Sequence, residues 1–260
     1  MKLQLGRHIY GLGAIAFGIV TLLRHQINSL GDISLPGILI YIVCIAELTG
    51  GLAILWRRTM KLGALILAVV FFIFSLYWIS QIIKMPLVFY PYGNFGEQFS
   101  IALGGVFVFA SAISGHPEEA AKIERAAYIS YGICVISYSL YQLFYLSYTA
   151  SLVPKWILPG QMFWAAATTA AFALAAIAIL SGRSALLASR LLTIMLIGFG
   201  VLIWLPACVI HPHEMSNWVE NAANTAMAGT AWIVTDFLYR SKISPRERQQ
   251  GNVSLEEKKN

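Results

Sequence analysis

Charge is scarce along this chain. Asp, Glu, Lys and Arg make up 12% of its 260 residues, against about 25% in soluble domains. The shortage extends over most of the length, which excludes a soluble domain with one anchor and implies a polytopic membrane protein. Cysteine is also scarce: Cys44, Cys134 and Cys208 contain no C-x-x-C pair. That argues against a thiol–disulfide relay or a thiolate metal cage, and cysteines inside apolar runs read as small core hydrophobes. No glycine-rich phosphate loop, nucleophile–base pattern or nucleic-acid signature is present, so those function classes have no support. Histidine is missing from the middle of every apolar run. His8, His25, His116, His211 and His213 sit near run ends or in loops, which disfavours a b-type haem held between facing helices. No small-x-small site directly follows residues 1–23, and Arg24-His25 caps them, so they read as a span and not a cleaved signal.

What the chain has in abundance is apolar length. Residues 8–23, 35–58, 61–83, 96–114, 126–146, 158–180, 184–205 and 218–239 form runs near the ~20 residues needed to cross a ~30 Å hydrocarbon core. The expected fold is all-α, a polytopic integral membrane protein with eight transmembrane helices. A polar loop with Asn28, Gly31 and Asp32 follows the first run. The polar insertion HPEEAAKIER divides the runs four and four. The expected organisation is therefore 1–115, a cytoplasmic linker 116–125, 126–239, and a polar, disordered cytoplasmic tail 240–260. Eight spans leave only Arg24, Lys84 and Lys155 of the 18 Lys and Arg residues opposite the termini. The positive-inside rule then places both termini in the cytoplasm. The net charge of +6 is explained by this asymmetry beside anionic lipid, without a nucleic-acid partner.

The two halves read as copies. Leu35-Pro36-Gly37 opens the second run as Leu158-Pro159-Gly160 opens the sixth, and Ala53-Ile54-Leu55 before Arg58 matches Ala178-Ile179-Leu180 before Arg183. Trp78 answers Trp204, and Asn94-Phe95-Gly96-Glu97 answers Asn217-Trp218-Val219-Glu220. Four spans per copy give both the same orientation. The expectation is two parallel four-helix repeats, unlike the inverted repeats of many transporters.

A four-helix unit with Glu47-Leu-Thr-Gly50-Gly51 in its second helix and a basic turn after it resembles the DoxX-like/DoxD-like membrane proteins. Val153-Pro-Lys-Trp-Ile-Leu-Pro-Gly160 and the proline-containing loop before the last run resemble the same family in the second half. The resemblance covers roughly residues 7–237. It implies a membrane subunit associated with quinone-linked sulfur or thiol redox chemistry, a membrane or periplasmic oxidoreductase partner and a bacterial inner-membrane location. The second half departs from the pattern, since Thr168 and Thr169 precede Phe172 with no acid nearby. A role for Glu47 would belong to the first half alone.

Glu47 lies mid-run, where an ionisable group costs at least ~2.5 kcal/mol and is a functional-site hypothesis by default. With Thr49, Gly50 and Tyr77 it makes a proton-handling or ligand site, or else a carboxyl that glues helices by hydrogen bonding to a Tyr or Ser. Tyr10, Tyr77, Tyr131 and Ser137 are the expected partners. Glu97 and Glu220 are expected to complement helix N-terminal dipoles. The alternative is an outer polar pocket involving Arg24, Asn94, Glu97, Asn217, Trp218 and Glu220. His211 and His213 have metal-ligand side chains but no supporting set. The residues carry no catalytic signature. The first expectation is thus the redox subunit, the second a small-solute or proton-coupled carrier with its path between the halves, the third a non-catalytic membrane adaptor.

Overall fold

The computed structural model describes residues 5–27, 30, 35–113 and 116–257, with side chains described as far as Ser241. Asn28, Gly31 and Asp32 of the expected loop, and Lys2, Lys258 and Lys259 of the charge asymmetry, lie outside the described residues. Among those described the fold is all-α. The helices are α1 (Leu5–Arg24), α2 (Gly37–Leu55), α3 (Met60–Lys84), α4 (Tyr90–Ser111), α5 (Pro117–Phe144) and α6 (Leu146–Leu152). They continue with α7 (Gln161–Ser181), α8 (Ala185–Phe199), a π turn (Gly200–Trp204), α9 (Leu205–Ile210) and α10 (Met215–Glu257).

Among the described residues, five helical segments are long and apolar enough to cross a membrane: α1, α2, α3, α7 and the run Ala185–Ile210. The pair α5 and α6, bent by 91°, makes a sixth if counted as one span. The chain is a multi-pass membrane protein whose solvent is lipid. Its outer surface agrees, since Ile38, Ile42, Ile45 and Leu52 of α2 all point away from the core.

α4 and α10 fall outside the apolar set because of where they sit. α4 packs on α3, α5 and α10, and α10 packs on α1, α8 and α4. Surrounded by protein, they hold buried polar residues that lipid-facing helices would not tolerate, among them Gln98, Ser100, Asn224, Thr230 and Thr235. Each threonine spends its hydroxyl on the carbonyl one turn back, Thr230 on Ala226 at 3.1 Å and Thr235 on Ala231 at 3.0 Å. Such local bonds satisfy polar groups where no water reaches.

Helix contacts run α1–α2–α3–α4–α5–α7–α8–α10 and back to α1. Without water between helices, close approach of backbones replaces the hydrophobic drive, and small residues provide it. A Cβ on Gly13 would meet the Ala226 nitrogen at 2.5 Å, and one on Gly51 would meet the Gly11 carbonyl at 2.8 Å. Gly6 lies against Ile233 while Gly13 lies against Ala226, so α1 and α10 are antiparallel. α4 and α10 are parallel, with Gly104 beside Thr230 and Phe107 against Phe237 at 5.6 Å. The core is filled by Tyr10, Phe17, Phe71, Phe74 and Phe107.

Several boundaries differ from the sequence reading, each for a local reason. α4 begins at Tyr90, well before Gly96, because Pro91 occupies the first turn, where its missing N–H and fixed φ suit a helix start. The expected linker 116–125 is largely helical: Pro117 opens α5 with Glu118 and Glu119 in its first turn, where acids favour the helix dipole. The expected loop 147–156 contains most of α6. The expected loop 206–217 narrows to a turn, because the helix continues through the π turn to Ile210. Pro206 lacks an N–H and crowds the carbonyl four residues back, a recognised cause of a break in the helical ladder just upstream. The backbone helix of α10 continues through much of the expected tail, since extending a packed helix avoids the cost of nucleating one.

Candidate functional site

Glu97 and Glu220 meet in one cavity. It has a volume of about 200 Å³ and lies between the N-terminal thirds of α4 and α10, the end of α5, and α6. Because both helices start earlier than expected, neither acid is in a first turn. The dipole effect fades within that turn, so the expected capping role is corrected. On α4, Asn94 and Glu97 are three residues apart and share a face; on α10, Glu220 and Asn224 are four apart and do the same. All four line the cavity.

The wall carries two carboxyl groups and no Lys, Arg or His. Glu97 accepts a hydrogen bond from Gln98 Nε2 at 3.0 Å. Asn224, 7% exposed, donates its amide N–H to the Leu196 carbonyl at 2.9 Å. Tyr138 donates to Ser100 Oγ. The Gln142 oxygen accepts from Thr168 and Thr169, both at 3.2 Å. Asn94 is held by its own helix, donating to the Tyr90 carbonyl at 2.9 Å. Tyr141, Tyr148, Phe172, Phe199 and Trp204 supply aromatic surface.

A second cavity of about 290 Å³ adjoins the first and shares Gln142, Thr149, Leu152, Phe199 and Trp204 with it. Its remaining wall is mostly apolar and includes Ile157, Trp164, Met195 and Leu202. The π turn borders both cavities, through Trp204 in the first and Leu202, Ile203 and Trp204 in the second. π turns concentrate at functional sites.

Of the outer-pocket residues expected from sequence, Asn94, Glu97 and Glu220 come together, in a single cavity and not one per half. Asn217 and Trp218 are used locally: Asn217 donates to the Ala207 carbonyl at 3.4 Å and Trp218 to the Pro212 carbonyl at 3.1 Å. Arg24, in the last turn of α1, is not in the wall. Tyr138, Tyr141, Gln142 and Asn224 were not anticipated. The i, i+3 and i, i+4 spacings of Tyr138-Tyr141-Gln142 and Glu220-Asn224 were the available signal.

The Glu47 group does not form one site. Glu47 is fully buried and accepts from Thr21 Oγ1 of α1 at 2.9 Å. Its other oxygen, Oε1, has no hydrogen-bond partner among the described residues. Thr49 is exposed and bonds its own helix at the Ile45 carbonyl, 2.6 Å away. Gly50 packs on Leu67 of α3, and Tyr77 stacks edge-on against Trp78 at 5.3 Å. The expected Tyr and Ser partners are engaged elsewhere or left over: Tyr10 donates to Ile101, Ser137 to Cys134, and the Tyr131 hydroxyl is unpartnered. Helix register decides this, since Thr21 faces α2 at the level of Glu47.

His211 and His213 are exposed in the turn before α10. Among the described residues no group of three or more His, Cys, Asp or Glu side chains is placed to hold a metal. The cysteines are buried and unpaired. No family model, curated protein or solved structure matches the chain.

Proposed function

We propose that the chain is an eight-span membrane protein of two parallel four-helix repeats, and that it is a small-solute carrier with its binding site in the Glu97–Glu220 cavity. In this reading α1 to α4 form one repeat and α5, α7, the Ala185–Ile210 run and α10 the other. α4 and α10 count as spans shielded from lipid, and both termini face the cytoplasm. The helix contacts support the duplication. Exchanging the repeats maps α1–α2 onto α5–α7, α2–α3 onto α7–α8 and α3–α4 onto α8–α10. The junction α4–α5 maps onto α10–α1, and the parallel pair α4–α10 maps onto itself.

The observation that carries the function is the meeting of Glu97 and Glu220, equivalent residues of the two repeats, in one polar cavity between them. Ionisable groups inside a bundle mark solute or proton paths, and a site on the repeat axis is where parallel halves can rock against each other. The cavity is below the ~300–1,000 Å³ typical for drug-sized ligands, which fits a small solute.

The second reading is the one the DoxX-like resemblance implies, a membrane subunit of quinone-linked redox chemistry with an oxidoreductase partner. The observation in its favour is the apolar second cavity with Trp164 and Trp204 in its wall, a setting suited to a flat, weakly polar ring. One experiment separates the two: mass spectrometry of the protein released gently from its native membrane. The carrier reading expects a small polar solute that is lost from Glu97→Gln and Glu220→Gln. A stoichiometric quinone or an oxidoreductase partner would overturn it in favour of the redox subunit, and protein carrying only bulk lipid would overturn both.

A further inference from the structure

Resting on the reading of the inter-repeat cavity as a solute site, we infer its solute class: a small organic ammonium, whose N–H groups are received by Glu97, Glu220 and Asn224 and whose body lies against the aromatic wall. The argument begins with the hydrogen-bond inventory. Gln98 occupies one Glu97 oxygen. Glu220 receives no hydrogen bond among the described residues, although it lines the same cavity as Glu97. Asn224 is 93% out of solvent, being 7% exposed. Its N–H is spent on the Leu196 carbonyl. Its side-chain oxygen has no donor among the described residues, and Asn224 lines the cavity.

The wall therefore presents acceptor oxygens from α4 and α10 toward a common space without a cation to serve them. Glu97 is half-buried and Glu220 exposed, and holding two carboxyl groups together with no basic partner is costly through like-charge repulsion. An occupant that supplies several donors and one positive charge removes that cost in one step, and an ammonium does this with up to three N–H groups. The aromatic side chains point the same way. Tyr141, Tyr148, Phe172, Phe199 and Trp204 line the cavity with the acids, and the faces of such rings attract cations.

Other occupants fit less well. An anion would face two carboxyl groups with no basic partner. A divalent metal asks for six or more oxygens at short range, and no group of three acidic or other metal-ligating side chains is gathered here among the described residues. A neutral apolar ring belongs in the adjoining cavity, whose wall is mostly carbon.

The test uses the full chain in lipid nanodiscs and titrates three probes of matched shape: phenethylammonium, 2-phenylethanol and phenylacetate. Binding is read by calorimetry and by Trp fluorescence, which Trp204 in the wall should report. Phenethylammonium is expected to bind at least about tenfold more tightly than 2-phenylethanol, corresponding to ~1.4 kcal/mol, and phenylacetate not to bind. Glu97→Gln and Glu220→Gln should each weaken the ammonium about tenfold or more, the usual scale for one charge-assisted hydrogen bond. Both are expected to leave 2-phenylethanol unchanged. Asn224→Leu should weaken the ammonium by a smaller factor. Glu118→Gln, exposed in the first turn of α5, makes the same change in net charge and should alter nothing. Size-exclusion profile and Tm confirm that each variant folds.

If 2-phenylethanol binds as well as the ammonium and the Gln variants alter neither, the ammonium assignment fails. In that case, loss of the neutral probe in the cavity-filling Ala223→Leu would leave the solute-site reading standing. If no probe of any charge binds the folded wild type, both fail.

Discussion

The Thr21–Glu47 contact allows a test of whether the mid-bundle carboxyl is an adhesive between helices. Thr21→Val keeps the shape of the side chain and deletes the donor, leaving both Glu47 oxygens without a partner in a fully buried position. Interhelical hydrogen bonds in membranes average ~0.6 kcal/mol by double-mutant cycles, with a maximum near ~1.7 kcal/mol. Stranding a buried polar group adds about 1–3 kcal/mol, so Thr21→Val should cost about 2–4 kcal/mol. Glu47→Leu removes the stranded oxygens as well, and replacing both partners by apolar groups can be close to neutral. The double variant should therefore be more stable than Thr21→Val alone, with a coupling energy of about 1 kcal/mol, within the range for contacting pairs. Reversible unfolding in detergent micelles, followed by Trp fluorescence for wild type, both single variants and the double, gives the cycle. Additive single effects would refute the reasoning. So would a double variant less stable than Thr21→Val.

Three further outcomes follow from the packing. Gly13→Leu forces a side chain into the Ala226 backbone and should separate α1 from α10, costing at least about 1–3 kcal/mol as overpacking does; the same unfolding assay reads it. Arg7, buried, donates to the Leu55 carbonyl at the end of α2 at 3.2 Å. Arg7→Met should cost about 1–2 kcal/mol through the lost helix-end bond, measured as a lower Tm. Arg240 pairs with Glu124 across α10 and α5 at 3.3 Å, but the Arg240 side chain is 53% exposed. Arg240→Ala should cost no more than about 0.5 kcal/mol, and the difference from wild type should vanish in high salt.

The lipid-facing helices were legible in the sequence because their apolar runs are long, with Glu47 the one charge away from their ends: α2, α3 and α7 need no long-range information to be recognised. The matching Asn-x-x-Glu spacing at Glu97 and Glu220 was legible in the sequence. That the two acids share one cavity was not, because helix periodicity says which residues share a face but not what a face meets more than a hundred residues away. The capping expectation for both acids failed at the helix starts. Tyr90-Pro91-Tyr92 looks like a loop until Pro91 is recognised as a first-turn residue. Thr21 escaped notice as the Glu47 partner because hydroxyls on apolar helices usually bond their own backbone, as Thr49 does. The π turn had a local sign in Pro206, whereas no Pro or Gly marks the bend between α5 and α6.

The antiparallel seam between α1 and α10 bears on how the protein is made. α1 is synthesised before α10, and the glycine face it keeps for α10 has no partner until that helix has been made. α10 in turn is not apolar enough to rank among the candidate spans, and it packs on α1, α4 and α8. The seam therefore closes late. A nascent product stopped before Met215 would expose an unfinished seam to lipid and to quality-control proteases, and the bundle closes only once α1 and α10 have met.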